Sequence, residues 1–325
     1  MPQTALAYWA NPPGPGQLRP TVLPNPGPTD VLVKTLYSAI SRGTESLVHL
    51  GRVPESQYAA MRAPFQEGEF PGPVKYGYIN VGEVQEGPDP LLGKQVFCLF
   101  PHQDRYVVPA TAVTPLPEGL PAARAVLTAN METAVNAVWD AAPGLGDRIS
   151  VIGAGVVGCL AAALCSAIPG TRVELIDTDP GKAEIARALG LSFCLPADAA
   201  MEADLVLHAS GNPAGLDQAL RIAGMEARIV EVSWFGSQAV SLPLGEHFHS
   251  RRLRIRSSQV GRLPPERAPR WDHGRRLRLA MELLIDPVFD NLITGESAFE
   301  QLPETLAELA TRPGGSLCHR IRYPD

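Results

Sequence analysis

The chain has no apolar run long enough to cross a bilayer, and it does not open with the charged stretch and apolar core of a secretory signal. Those absences argue against a helical membrane protein and make the cytoplasm the expected location. A surplus of positive charge is missing too: Lys+Arg 28 against Asp+Glu 34 gives −6, so neither nucleic acid nor an anionic membrane is an expected partner. Lysine is scarce (Lys34, Lys75, Lys94 and Lys182), which says nothing about substrate. The five cysteines, Cys98, Cys159, Cys165, Cys194 and Cys318, form no CxxC pair and no close cluster. Their number is odd and two lie in an apolar helical stretch, which reads as buried free thiols rather than a disulfide framework. What remains is an ordinary globular mixture, 45% hydrophobic and 19% charged, in 325 residues, long enough for two domains.

Up to about residue 120 short apolar runs alternate with proline and glycine. Val31–Tyr37, Tyr78–Val84, Gln95–Phe100 and Arg105–Val108 read as strands of an irregular, barrel-like β domain. Asn11–Gly16 and Asn25–Pro28 read as loops. Beyond residue 120 the texture changes. Val135, Val138, Trp139 and Ala142 share a helical face, and strands and helices then alternate to about residue 262, as in a parallel sheet covered on both faces. Two further helices, around Leu277–Leu284 and Leu302–Leu309, precede a closing strand at Cys318–Tyr323 that can return to the first domain.

Within the alternating region, Arg148–Ile152 runs into glycines at 153, 155 and 158, an apolar helix follows, and a second strand ends in Asp177. Each part suits a dinucleotide. Gly153 permits the tight turn, Gly155 leaves room for the pyrophosphate, and Gly158 lets the helix close on the strand. The amides of Ala154, Val156 and Val157 belong to the turn and the helix start, where free N–H groups face phosphates. Asp177 can accept hydrogen bonds from both ribose hydroxyls, and no cation follows before Lys182, so NAD(H) is expected over NADP(H). A methyltransferase-type sheet that binds S-adenosylmethionine is the alternative for such a pattern.

Ten arginines lie between Arg251 and Arg278. Leu253 and Ile255 alternate with Arg252, Arg254 and Arg256, as in a strand with one buried and one solvated face. The pair His247 and His249 could share a metal only in an extended segment, and no third ligand stands nearby.

The chain resembles the medium-chain dehydrogenase/reductase superfamily. Pro28–Glu45 resembles the segment that carries a zinc-ligating Cys, a hydroxyl relay and an acid; Gly77-Tyr-Ile-Asn-Val-Gly-Glu-Val84 resembles Gly-His-Glu-x-x-Gly-x-Val; Gly93–Phe97 and Ala209–Gly211 match two further motifs. Ile40-Ser-Arg-Gly-Thr-Glu45 is most similar to the branch of threonine and bacteriochlorophyllide dehydrogenases. The fold implied is α/β: a GroES-like β-barrel domain (1–120), a Rossmann doubly wound parallel sheet (121–262), and a C-terminal segment (263–325) returning to the first. The resemblance also implies cofactor contacts from Arg42, Ser210, Gly211, Ser233 and Trp234, and a homodimer.

The departures bear on chemistry. Ser41 stands where the family has its Cys ligand, Tyr78 where it has His and Ile79 where it has Glu; near the third ligand position only Glu132 could bind a metal, and the structural zinc lobe is absent. No zinc is therefore expected. The candidate catalytic set is Tyr78 as proton donor (with Tyr76 as substitute), Ser41 and Thr44 as a hydroxyl relay, His102 as a second acid or base, and Glu132. The expected function is NAD(H)-dependent hydride exchange with a small-molecule alcohol/ketone pair or activated alkene; the alternative is a dinucleotide-binding sensor without turnover.

Overall fold

The computed structural model describes residues 3–312 and 314–324. Along the chain, β1 (Thr4–Asn11), β2 (Gly14–Val22) and β3 (Asp30–Ile40) lead to helix α1 (Arg42–His49). Six strands follow: β4 (Glu67–Gly68), β5 (Val74–Lys75), β6 (Asn80–Glu86), β7 (Gln95–Cys98), β8 (Arg105–Pro109) and β9 (Val113–Pro115). Then come α2 (Ala122–Ala125), α3 (Thr128–Ala141), β10 (Arg148–Ile152), α4 (Val156–Ser166), β11 (Arg172–Ile176), α5 (Lys182–Ala188) and β12 (Ser192–Cys194). The remainder is β13 (Ala203–His208), α6 (Pro213–Ile222), β14 (Ala223–Glu231), β15 (Arg254–Ser257), α7 (His273–Leu283), β16 (Ile293–Ala298), α8 (Leu302–Thr311) and β17 (Cys318–Arg322). No described helix is long and apolar enough to cross a membrane.

Two compact units emerge, 1–129 with 281–325, and 130–280. The divisions fall within α3 and α7, later than the change of texture at about residue 120 and the last parallel strand, because each helix continues across the division.

In the first unit one sheet has the order β16-β17-β3-β6-β7-β9, with β8 also on β3, and a smaller one β2-β1-β5-β4. The long β3 is the organiser: it pairs antiparallel with β6, β8 and β17, so the end of the chain closes the unit that its start began. Val31, Val33, Val84, Val96 and Val108 form its core, with Phe100 and Tyr106 stacked 3.9 Å apart. Asn11–Gly16, expected as a loop, is the tip of a hairpin: β1 runs through Asn11 and β2 resumes at Gly14. The prolines that suggested a loop are tolerated because β2 is an edge strand, where a missing N–H need not break a ladder.

The second unit is a six-stranded parallel sheet of order β12-β11-β10-β13-β14-β15. The winding direction reverses between β10 and β13, and open α/β sheets bind ligands beyond the strand ends at such a point. The expectation of a half-buried arginine strand is corrected: β15 is the sheet edge and exposed throughout, and only Leu253 before it is buried. The neighbouring arginines engage acids instead, Arg251 with Glu202, Arg252 with Glu226 and Arg256 with Asp140.

Candidate functional site

The β-rich unit gathers hydroxyls around the start of α1. Ser41 is the N-cap residue of α1, but its hydroxyl makes no cap bond. Its amide donates to Glu45 Oε1 at 2.7 Å, so the acid one turn on satisfies an orphan N–H of the helix start. That leaves Ser41 Oγ to accept from the Tyr78 hydroxyl at 2.5 Å. Tyr78 lies on the extended segment that enters β6, and its hydroxyl also bonds the Thr44 side chain. Burial and then the Glu45 charge push the Tyr78 phenol up to about 12, against the opposing pull of the Ser41 and Thr44 hydrogen bonds. At neutral pH Tyr78 therefore holds its proton.

Beneath this pair runs a second chain of bonds. Glu45 Oε2 meets His102 Nε2 at 2.8 Å, His102 Nδ1 meets Ser38 Oγ at 2.7 Å, and Ser38 Oγ meets the Tyr323 hydroxyl at 3.0 Å. Local pairing fixes His102 there: Tyr8 N donates to His102 O, Gln103 bridges to Ala7, and Thr35 Oγ1 donates to Gln103 O. The His102 ring is fully enclosed and both nitrogens are engaged, so any proton it handles passes through Glu45 or Ser38. Tyr76 packs edge-on against Tyr78 at 6.1 Å, and burial raises its phenol further still.

In the second unit the glycine turn has the shape a dinucleotide needs. Gly153 has φ +105°, and a Cβ there would lie 2.6 Å from Ser210 N. A Cβ on Gly158 would lie 1.9 Å from Gly153 O, so the helix closes on the strand only without one. Around Gly155 the space is open, with nothing within 4 Å of an added Cβ. Val156 and Val157 start α4 half-exposed. Asp177 Oδ2 accepts from Ala154 N at 2.7 Å and Oδ1 from Asp179 N at 3.0 Å, which holds the carboxylate at the end of β11 beside the turn. The expectation that the Ala154 amide is free for phosphates is corrected, because Asp177 takes it; the glycine turn, the start of α4 at Val156 and Val157, and the acid at the end of β11 still fit a nucleotide cofactor.

Other candidates stand elsewhere. Glu132 is buried on α3 and paired with Arg276, whose guanidinium also holds Asn136 and Val260 O; burial raises the Glu132 carboxyl, and Arg276 opposes that rise. Arg42 Nη1 donates to Ser316 O at 2.7 Å. Ser233 and Trp234 follow β14, with Ser233 Oγ accepting from Gly211 N at 3.0 Å. All five thiols are pushed up to about 12, by burial first, and stay protonated. Among the described residues no three His, Cys, Asp or Glu side chains gather as metal ligands would. Ser41, Tyr78 and Ile79 do not suit zinc, which takes thiolate, imidazole or carboxylate, whereas this trio offers two protonated hydroxyls and a hydrocarbon.

Sequence reading missed Ser38 as the partner of His102, Tyr323 as the partner of Ser38, and His208 and Glu231 beside Ser210. His208 Nδ1 lies 2.7 Å from Glu231 Oε2 and Nε2 lies 2.6 Å from Ser210 Oγ. The last residues of the adjacent parallel strands β13 and β14 are the only signal that could have found that pair.

A parallel sheet with a glycine turn at its switch point and a barrel-like β unit are both present in this one chain. No family model matches the chain. It is 31% identical over 233 residues to the 2-desacetyl-2-hydroxyethyl bacteriochlorophyllide A dehydrogenase of Rhodobacter capsulatus, covering 64% of this chain and 67% of that protein. It is 26% identical over 255 residues to the D-guloside 3-dehydrogenase of Escherichia coli K12, covering 72% and 73%. Solved structures share the fold: an alcohol dehydrogenase of Escherichia coli CFT073 complexed with NADH, at 16% identity, TM-score 0.77 and coverage of 98% and 99%; and 2R,3R-butanediol dehydrogenase of Bacillus subtilis, at 17% identity, TM-score 0.77 and coverage of 99% and 100%. The chain belongs to the medium-chain dehydrogenase/reductase superfamily, with a GroES-like and a Rossmann domain.

Proposed function

We propose that the chain is an oxidoreductase that exchanges hydride between NAD(H) and an alcohol/ketone pair or activated alkene, with protein hydroxyls in place of a catalytic zinc. The observation that carries this reading is the 2.5 Å bond from Tyr78 to Ser41, at the two positions where the family has metal ligands. The nicotinamide cofactor would supply the hydride; the chain's own residues manage the proton. Tyr78 donates to Ser41 Oγ, which leaves the Ser41 hydrogen available to a substrate oxygen. As negative charge grows on that oxygen, Ser41 passes its proton on and takes that of Tyr78. A phenol near 12 is a stronger acid than an alcohol, so this transfer runs downhill in reduction. In the oxidative direction the same pair would have to act as a phenolate, which is scarce at neutral pH.

Preference for NAD(H) over NADP(H) rests on Asp177, whose carboxylate stands beside the glycine turn and would repel a 2′-phosphate. The dehydrogenase names of both relatives support the hydride chemistry. A panel of ketones, aldehydes and conjugated enones, followed by loss of NADH absorbance, tests the reading. Tyr78→Phe, which keeps the ring but removes the proton, lowers kcat by about 100-fold in this account. If no panel member turns over while NADH still binds, the sensor reading replaces the enzyme reading.

A further inference from the structure

The most developed polar cluster outside the Tyr78–Ser41 site lies at the switch point of the parallel sheet. His208, the last residue of β13, is fully enclosed, and Phe235 stacks along its face with a ring separation of 6.1 Å. On one side its Nδ1 meets Glu231 Oε2 at 2.7 Å; on the other its Nε2 meets Ser210 Oγ at 2.6 Å. Glu231 is itself fixed, because Oε1 accepts from Ser233 N at 2.7 Å. A carboxylate only accepts, so the imidazole hydrogen belongs on Nδ1 and Nε2 is left as the acceptor of the Ser210 hydroxyl hydrogen. Unlike His208, Ser210 is exposed.

Two more features belong to the same arrangement. Ser210 stands in the short turn from β13 into α6, two residues beyond the strand end. Asn212 N donates to Ser210 Oγ at 3.1 Å and orients it. The next amide, Gly211 N–H, is taken by the Ser233 hydroxyl at 3.0 Å, a side chain that can rotate away and free the amide for an incoming oxygen. Room for the Ser–His contact comes from Gly215 on α6. A Cβ there would lie 2.6 Å from Ser210 Oγ and 2.7 Å from His208 Nε2.

We infer that in the cofactor-free protein Ser210 is a nucleophile, with His208 as its base and Glu231 as the residue that positions the base, and that this site, which a bound nucleotide would cover at Ser210, Gly211 and Ser233, is acylated by small carboxylic esters in a reaction other than hydride exchange. In the first step Ser210 Oγ bonds to the acyl carbon and its proton moves to His208 Nε2. The ester C–O bond breaks and the departing alkoxide takes that proton. Water then adds to the acyl carbon, giving its proton to His208, and the acid leaves as Ser210 recovers its hydrogen. No oxidant, reductant or metal enters the balance.

The test is phosphonylation of the full-length protein by a fluorophosphonate, in which the Ser210 Oγ–P bond forms as fluoride leaves, followed by intact mass and peptide mapping. Hydrolysis of p-nitrophenyl acetate is followed alongside. Expected are one phosphonyl group on Ser210, no labelling in Ser210→Ala, and labelling slowed by about 100-fold in His208→Gln. Gly215→Ala keeps the His208 and Ser210 side chains but crowds a methyl group against Ser210 Oγ and His208 Nε2, which forces them apart and slows labelling to a similar extent; it serves if His208→Gln fails to fold. Glu231→Gln slows labelling with an unchanged melting temperature, and Glu231→Asp restores part of the rate. Absence of label on Ser210, or equal rates in wild type and Gly215→Ala, overturns the inference.

Discussion

Tyr78 and His102 are both polar residues of the barrel-like unit, and their surroundings give them different work. Tyr78 is half-exposed with one hydroxyl relay; His102 is sealed, with Glu45 on one nitrogen and Ser38 on the other. Removing His102 leaves a buried acid and a buried hydroxyl without their partner, and His102→Ala is expected to cost about 3 kcal/mol. Tyr78→Phe removes the hydroxyl's bonds to Ser41 and Thr44, leaves two hydroxyls that can turn to other partners, and costs only about 1 kcal/mol. Urea titration of the two variants beside their turnover numbers checks this: stability falls mainly in one, catalysis mainly in the other. The sequence made Tyr78 and Ser41 visible only through motifs, because 37 positions separate partners that touch. Glu45 was visible as the acid of its motif but not as the partner of His102, and Ser38 carried no signal of its own, since a link spanning 57 or 64 positions follows no local period.

At the scale of elements, the backbone of the turn between β10 and α4 was legible because Gly153 and Gly158 answer local steric demands, whereas the link from Asp177 to the Ala154 amide was not. Those demands differ, and variants should show it. Gly155→Ala places a methyl group in open space, so it is expected to leave the melting temperature nearly unchanged and to weaken NADH binding, where the pyrophosphate would approach. Gly158→Ala drives a methyl group to 1.9 Å from Gly153 O and is expected to cost about 1–3 kcal/mol as well as NADH affinity. Calorimetry of unfolding together with NADH fluorescence titration separates the two outcomes. The β1–β2 hairpin was not legible, because Pro12, Pro13 and Pro20 hide a strand pattern that an edge position tolerates. Likewise β16 and the short β12 lack the apolar alternation that identifies strands.

Across the molecule, buried phenols set an alkaline limit. Burial raises Tyr8, Tyr76, Tyr78, Tyr106 and Tyr323, with Tyr78 moving from 10.0 to about 12. A group whose folded value is raised stabilises fully below its unfolded value, and that contribution is lost as pH climbs from the unfolded toward the folded value. Unfolding is therefore expected to set in above pH 10.0, with phenolate absorbance and loss of circular dichroism rising together. Phenolate appearing without unfolding would contradict it. The central claim, that hydroxyls replace zinc, is tested most directly by elemental analysis of purified, dialysed protein. The account predicts less than about a tenth of an equivalent of zinc per chain, given that Ser41, Tyr78 and Ile79 offer no thiolate, imidazole or carboxylate. Zinc near one equivalent, retained through dialysis and required for turnover, would contradict it.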